Sequence, residues 1–221
     1  MKGRNFPNFS AYLISVGNYE SQGLPNLPEY DKNAKAVEEA LVRELGVDRE
    51  AITTVGTDGV VTRQDVGMML INLLYGDCEN LIIYFSGYGA KDGLLLSDGK
   101  RKVTELIEKL SMYPISKLWI LCDTYREGSE AIDFYGVDKG EIEELAVIST
   151  PAYTEDVKAE GDCSIYTEII CKGLSSLRNG AETINHIEDA MSLEVNCWNI
   201  VNSAKSVNAH RLEFQKFTLK K

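Results

Sequence analysis

Leu81-Ile82-Ile83-Tyr84-Phe85-Ser86-Gly87-Tyr88-Gly89 and Leu118-Trp119-Ile120-Leu121-Cys122-Asp123-Thr124-Tyr125 are two apolar runs that each give way abruptly to small and polar residues. Branched and aromatic runs of this kind, without polar alternation, are what strands covered on both faces require. They place the chain among α/β proteins, in which a mostly parallel sheet lies between helices. The pattern continues on either side. Residues 11–16 read as a first strand closed by Gly17-Asn18, and a loop containing Pro25 and Pro28 follows. A helix over 31–45 carries Ala34, Val37, Leu41 and Leu45 at helical spacing, with Gly46 as its stop. Residues 51–55 form a short strand, and Thr62 with Asp65 opens a helix whose apolar face is Val66, Met69, Leu70, Leu73 and Leu74. A sharp turn is expected at Ser86-Gly87-Tyr88-Gly89. Beyond it we expect a small strand over 93–98, a helix over 103–110 and a strand over 145–149. Helices over 164–177 and 184–195 and an edge strand over 211–219 complete the chain.

With 221 residues, 44% of them hydrophobic and 26% charged, the chain has the composition of an ordinary folded domain. Its net charge of −11 sets the overall field against any broad phosphate-neutralising surface, so neither nucleic acid nor an anionic membrane is an expected partner. The five cysteines, Cys78, Cys122, Cys163, Cys171 and Cys197, are odd in number and contain no CxxC pair. That is neither a disulfide framework nor a zinc site, and we expect reduced thiols in a cytoplasmic protein. No signal-like start and no membrane-spanning run is read. No metal or cofactor is expected. Residues 126–143 contain six acids without period and read as an irregular loop.

In an open parallel sheet, chemistry collects beyond the carboxyl ends of the strands. Two such ends stand out here, one delivering Ser86-Gly87-Tyr88-Gly89 and the other Asp123-Thr124-Tyr125. At these residues the chain resembles the caspase-like cysteine peptidases, most closely their metacaspase and bacterial caspase-homologue branch. The likeness also takes in Leu13-Ile14-Ser15-Val16-Gly17-Asn18-Tyr19, the stretch from Leu27 to Asp31, Leu41, and Thr62. It extends through Val147-Ile148-Ser149-Thr150 to Gly161-Asp162-Cys163-Ser164-Ile165-Tyr166-Thr167-Glu168. The resemblance implies a single caspase-like α/β/α sandwich over 1–221, with a mostly parallel six-stranded sheet. Residues 1–125 would be the large-subunit-like part and 144–221 the small-subunit-like part.

The family pattern carries a histidine base at the first strand end and a cysteine nucleophile at the second. Here Tyr88 and Tyr125 stand at those positions. A phenol, with a pKa of about 10, is only about one part in a thousand ionised at neutral pH, and it offers no nitrogen lone pair titrating near 7. The dyad is chemically absent. The two histidines, His186 and His210, follow no central strand end, and each reads as a surface or satisfied core residue. Strand alternation puts Cys122 with Leu118 and Ile120 on one sheet face, as a small buried hydrophobe. Cys163 lies in a polar loop without a nearby basic partner.

By resemblance, Asp31, Ser86 and Asp123 match a pocket that holds a basic side chain. Two converging carboxylates would still bind a guanidinium or ammonium without any nucleophile. The plainer readings are that Asp31 caps a helix and that Asp123 hydrogen-bonds the turn after its strand. Tyr88 and Tyr125 are expected to stack or share a hydrogen bond over the old site. The function expected is that of a catalytically inactive relative acting as a regulatory or scaffold module for a protein or peptide partner. Two alternatives stay open: a peptidase using Cys122, Cys163 or a tyrosine, and a small-molecule-binding Rossmann-like module at the Ser86 to Gly89 turn. Lys139 is a candidate processing site in the acidic loop, and the last strand is a candidate edge for homo-oligomer pairing.

Overall fold

Strands β1 (Phe9–Ser15), β2 (Ile52–Val55), β3 (Asn80–Ala90), β6 (Lys117–Tyr125) and β7 (Glu144–Ser149) are the apolar runs of the sequence, and they pair in parallel in the order β2-β1-β3-β6-β7. Strand β8 (Gln215–Lys220) closes the sixth position, antiparallel to β7 at the sheet edge. This is a computed structural model, and it describes residues 9–90, 93–125, 137–149, 163–176, 189, 191–193, 195 and 215–220. The caspase-like α/β sandwich expected from the sequence is the fold observed.

Alternation along the strands sorts the core into two layers. Ala11, Leu13, Ile82, Tyr84, Trp119, Leu121, Ala146 and Ile148 face α1 (Tyr30–Ala40) and α4 (Ile165–Ser176). Ile14, Leu81, Ile83, Phe85, Leu118, Ile120, Cys122 and Val147 face α2 (Arg63–Tyr75) and α3 (Val103–Leu110). Helix α1 runs on into a wider turn over Leu41–Leu45 and stops at Gly46, whose φ of +67° lets its amide reach back to the Val42 carbonyl. The start of α2 is closed reciprocally: Thr62 accepts from the Asp65 amide at 3.2 Å, and Asp65 accepts from the Thr62 amide at 2.7 Å. In the first layer Trp119 is buried, its indole donating to Glu144 at 2.7 Å, with Phe9 packed at a ring separation of 4.9 Å.

Two readings are corrected. The chain does not turn at Ser86 to Gly89; β3 continues as strand to Ala90, and β6 continues past Cys122 to Tyr125. The extension is stabilised by pairing of Ser86, Gly87 and Tyr88 with Asp123, Thr124 and Tyr125, and by β4 (Gly93–Leu96), which folds back on Gly89 and Ala90. The small strand expected over 93–98 is a hairpin of β4 with β5 (Gly99–Lys102). Of the expected 184–195 helix, residues 189, 191–193 and 195 are described and helical, with Met191 and Val195 buried. Residues 126–136, His186, Cys197, His210 and 211–214 lie outside the described residues. Among the described residues no helix is long and apolar enough to cross a membrane.

Candidate functional site

The register of β3 on β6 sets Tyr88 directly beside Tyr125, so the two positions singled out in the sequence are cross-strand neighbours at the carboxyl end of the sheet. Two residue rows lower, Ser15, Ser86 and Asp123 line up across β1, β3 and β6. Polar groups here sit on the two central strands and their neighbour.

The row of Ser86 and Asp123 faces α1 and α4 and is closed over by them. Asp123 is fully buried. Its Oδ2 accepts from the Ser164 hydroxyl and from the Thr167 hydroxyl at 2.7 Å. Thr167 also shares a hydrogen bond of 2.5 Å with the Tyr84 hydroxyl. Ser164 caps α4, accepting from the Thr167 amide at 3.0 Å, while its own amide donates to Asn33 Oδ1 at 2.8 Å. Asn33 in turn donates to Ser86 Oγ at 2.9 Å. A chain of buried polar groups therefore runs from β3 through α1 to α4 and back to β6. Placing the carboxylate at the first turn of α4 also sets it against the positive end of the helix dipole. Burial, reinforced by the Asp123 charge, holds the Tyr84 phenol well above its usual pKa.

Asp31 is elsewhere. It is exposed in the first turn of α1, after Tyr30, and is not the cap residue of that helix. It lines a cleft of about 300 Å³ that includes Tyr30, Lys35, Glu38, Arg49 and Asp58 and does not include Ser86 or Asp123. Arg49 is ion-paired with Glu38 there.

Tyr88 follows Gly87, whose φ of +155° breaks the alternation that would send the ring to the α1 and α4 side. The ring instead lies half-buried against the other layer, edge-on to Tyr19 with centroids 4.8 Å apart. The Tyr19 hydroxyl accepts from the Tyr88 amide at 2.8 Å and donates to the Leu95 carbonyl at 3.0 Å. Burial raises the Tyr19 phenol far above its ordinary pKa. Among the described residues the aromatic contact of Tyr88 is with Tyr19, which the sequence carried only as part of the first strand's exit. Its role depends on β4 folding back over that exit, a contact 76 residues away in the chain.

Four of the cysteines lie among the described residues. Cys122 is buried in the α2 and α3 layer with Leu118 and Ile120, as alternation predicts. Cys163 is half-buried just before α4. Burial pushes the Cys171 thiol up to about 12, a protonated, weakly nucleophilic state at neutral pH. Lys139 is half-buried, and its ammonium donates to the Ile142 carbonyl. No group of three or more His, Cys, Asp or Glu residues suited to a metal occurs among the described residues.

Solved structures of caspases resemble this fold. The crystal structure of caspase-1 from Spodoptera frugiperda superposes with a TM-score of 0.63 at 14% identity, over 96% of this chain and 86% of that one. A structure of pro-sf-caspase-1 gives a TM-score of 0.65 at 10% identity, over 99% of this chain and 93% of that one. The chain has a caspase-like fold. At such identities the likeness establishes architecture alone. No protein-family model matches the sequence, and no curated protein does.

Proposed function

We propose that this chain is a catalytically inactive caspase homologue of the metacaspase type that acts by binding a protein or peptide partner. The observation carrying the proposal is the β3 to β6 register: Tyr88 and Tyr125 stand side by side at the strand ends where the resemblance puts a histidine and a cysteine. Neither phenol supplies a thiolate or a base near pH 7. The surroundings support the same reading. The Tyr88 amide is held by Tyr19, and Cys122, the nearest thiol in the sequence, belongs to the core.

In this reading Asp123 is a structural acid, since its carboxylate is buried and accepts hydroxyl donors from α4. A basic side chain of the partner would meet Asp31 in the cleft beside α1, where Asp58 adds a second carboxylate. The small-molecule alternative is not favoured, because the Ser86 to Gly89 stretch is strand, with no helix N-terminus following it to receive a phosphate. Purified protein incubated with fluorogenic peptides ending in Arg or Lys tests the proposal. We expect no turnover above buffer, and cleavage abolished by a thiol-alkylating reagent would overturn the inactive reading.

A further inference from the structure

Helix α2 is apolar on two opposite sides. Val66, Met69, Leu70 and Leu73 are buried against the sheet, as the fold demands. On the other side Gln64, Gly67, Met68, Ile71, Leu74 and Tyr75 recur at steps of three and four, the spacing that lines one helix face. Tyr75 is 87% exposed, Leu74 64%, Met68 48% and Ile71 44%. No residue from Val66 to Gly76 is charged, in a chain 26% of whose residues are. Loss of charge together with exposed Tyr and Met is the composition that separates interface cores from ordinary surface. The four side chains present on the order of 500 Å² of apolar surface, the size at which a patch on a monomer signals an interaction site.

We propose that two copies of this chain pack through α2, antiparallel, about a two-fold axis at Ile71. A two-fold contact must be self-complementary, and this face satisfies that condition in one register. With Ile71 against Ile71, Tyr75 of each copy falls opposite Gly67, around whose missing Cβ there is no atom within 4 Å, and Met68 falls opposite Leu74. The largest protruding side chain thereby enters the one notch on the face. The same register brings Arg63, exposed at the start of α2 and donating to the Asp98 carbonyl of its own chain, toward the exposed Glu79 that follows the other copy's helix. Opposite charges flank both ends of an uncharged centre. Each copy carries −11, so most other self-contacts would juxtapose like charges. The pair buries about 1,000 Å² from these side chains, near the lower limit for a specific interface, so the association is weak and concentration-dependent.

Sedimentation velocity of the whole protein over a concentration series tests this, alongside Ile71→Glu, with mild oxidation of Ile71→Cys compared with the unsubstituted protein. We expect reversible dimers, weakened about tenfold or more by Ile71→Glu, and a covalent dimer formed by Ile71→Cys. A mixture of Gly67→Cys and Tyr75→Cys proteins should cross-link where neither alone does. Three results would each overturn the proposal. One is a monomer at every concentration, and another is a dimer indifferent to Ile71→Glu, which places the contact on another face such as β8. The third is a monomer whose melting temperature falls with Ile71→Glu, which means the chain itself covers this face.

Discussion

Gly87 directs the Tyr88 ring to the side of the sheet on which it packs. A side chain there would meet two obstacles: a φ of +155°, and the Tyr19 hydroxyl 2.3 Å from where a Cβ would sit. Gly87→Ala should therefore cost about 2–4 kcal/mol in urea unfolding, and less in a Tyr19→Phe background, where the obstructing oxygen is gone. Equal costs in the two backgrounds would show that the contact does not decide the site. At this scale a residue's place along the chain is read more readily than what surrounds it. Cys122 was legible from its place along a strand, whereas Tyr88 was read in a turn and lies in strand. The edge-on contact with Tyr19 was not legible, since it depends on a backbone dihedral that breaks period-two alternation, and on a hairpin distant in sequence.

Helix α4 is joined to the sheet by polar rather than apolar contacts at its first turn. Ser164 serves twice there, capping the Thr167 amide and donating to buried Asp123. Ser164→Ala removes both and leaves the Asp123 carboxylate short of a donor, so we expect a loss of about 2–3 kcal/mol. Ser175→Ala on the same helix removes only a local bond to the Cys171 carbonyl and should change stability by about 0.5 kcal/mol or less. Chemical denaturation of the two variants separates a fold-joining role from a helix-propensity effect. The elements themselves were largely legible, because buried strands and capped helices announce themselves by period and by end residues such as Thr62, Asp65 and Gly46. The continuation of β3 and β6 beyond their apolar runs was hidden. Small and polar residues read as a turn when taken singly, and they become strand here because two such ends pair with each other.

Across the whole molecule, buried phenols and a half-buried thiol give the fold a defined alkaline weakness. Tyr19 and Tyr84 have raised pKa values in the folded state, so below about pH 10 both folded and unfolded chains keep these protons and no stability changes hands. Above that the unfolded chain ionises first, and stability must fall as pH rises, by about 1.4 kcal/mol per pH unit for each group. Cys171 acts with the same sign from about pH 9 to about pH 12. Urea midpoints should be insensitive to these groups near neutrality and decline above pH 9, with a shallower decline above pH 10 in Tyr84→Phe. A decline of undiminished slope in that variant would remove Tyr84 from the explanation. The architecture of the whole was legible from the order of apolar runs and helical patterns. The split between Asp31 and Asp123 was not, because matched positions along a chain say nothing of whether α4 closes over one of them. In the inactive homologue we propose, no activated thiol stands at the mouth of the sheet where the Tyr88 and Tyr125 positions pair across β3 and β6. Treating the folded protein with an Arg-ended peptide carrying a thiol-reactive ketone, then mapping adducts by mass spectrometry, reads that place directly. We expect no peptide-directed adduct beyond the slow background of a plain alkylating reagent, whereas rapid stoichiometric labelling of a single cysteine would show a working nucleophile there.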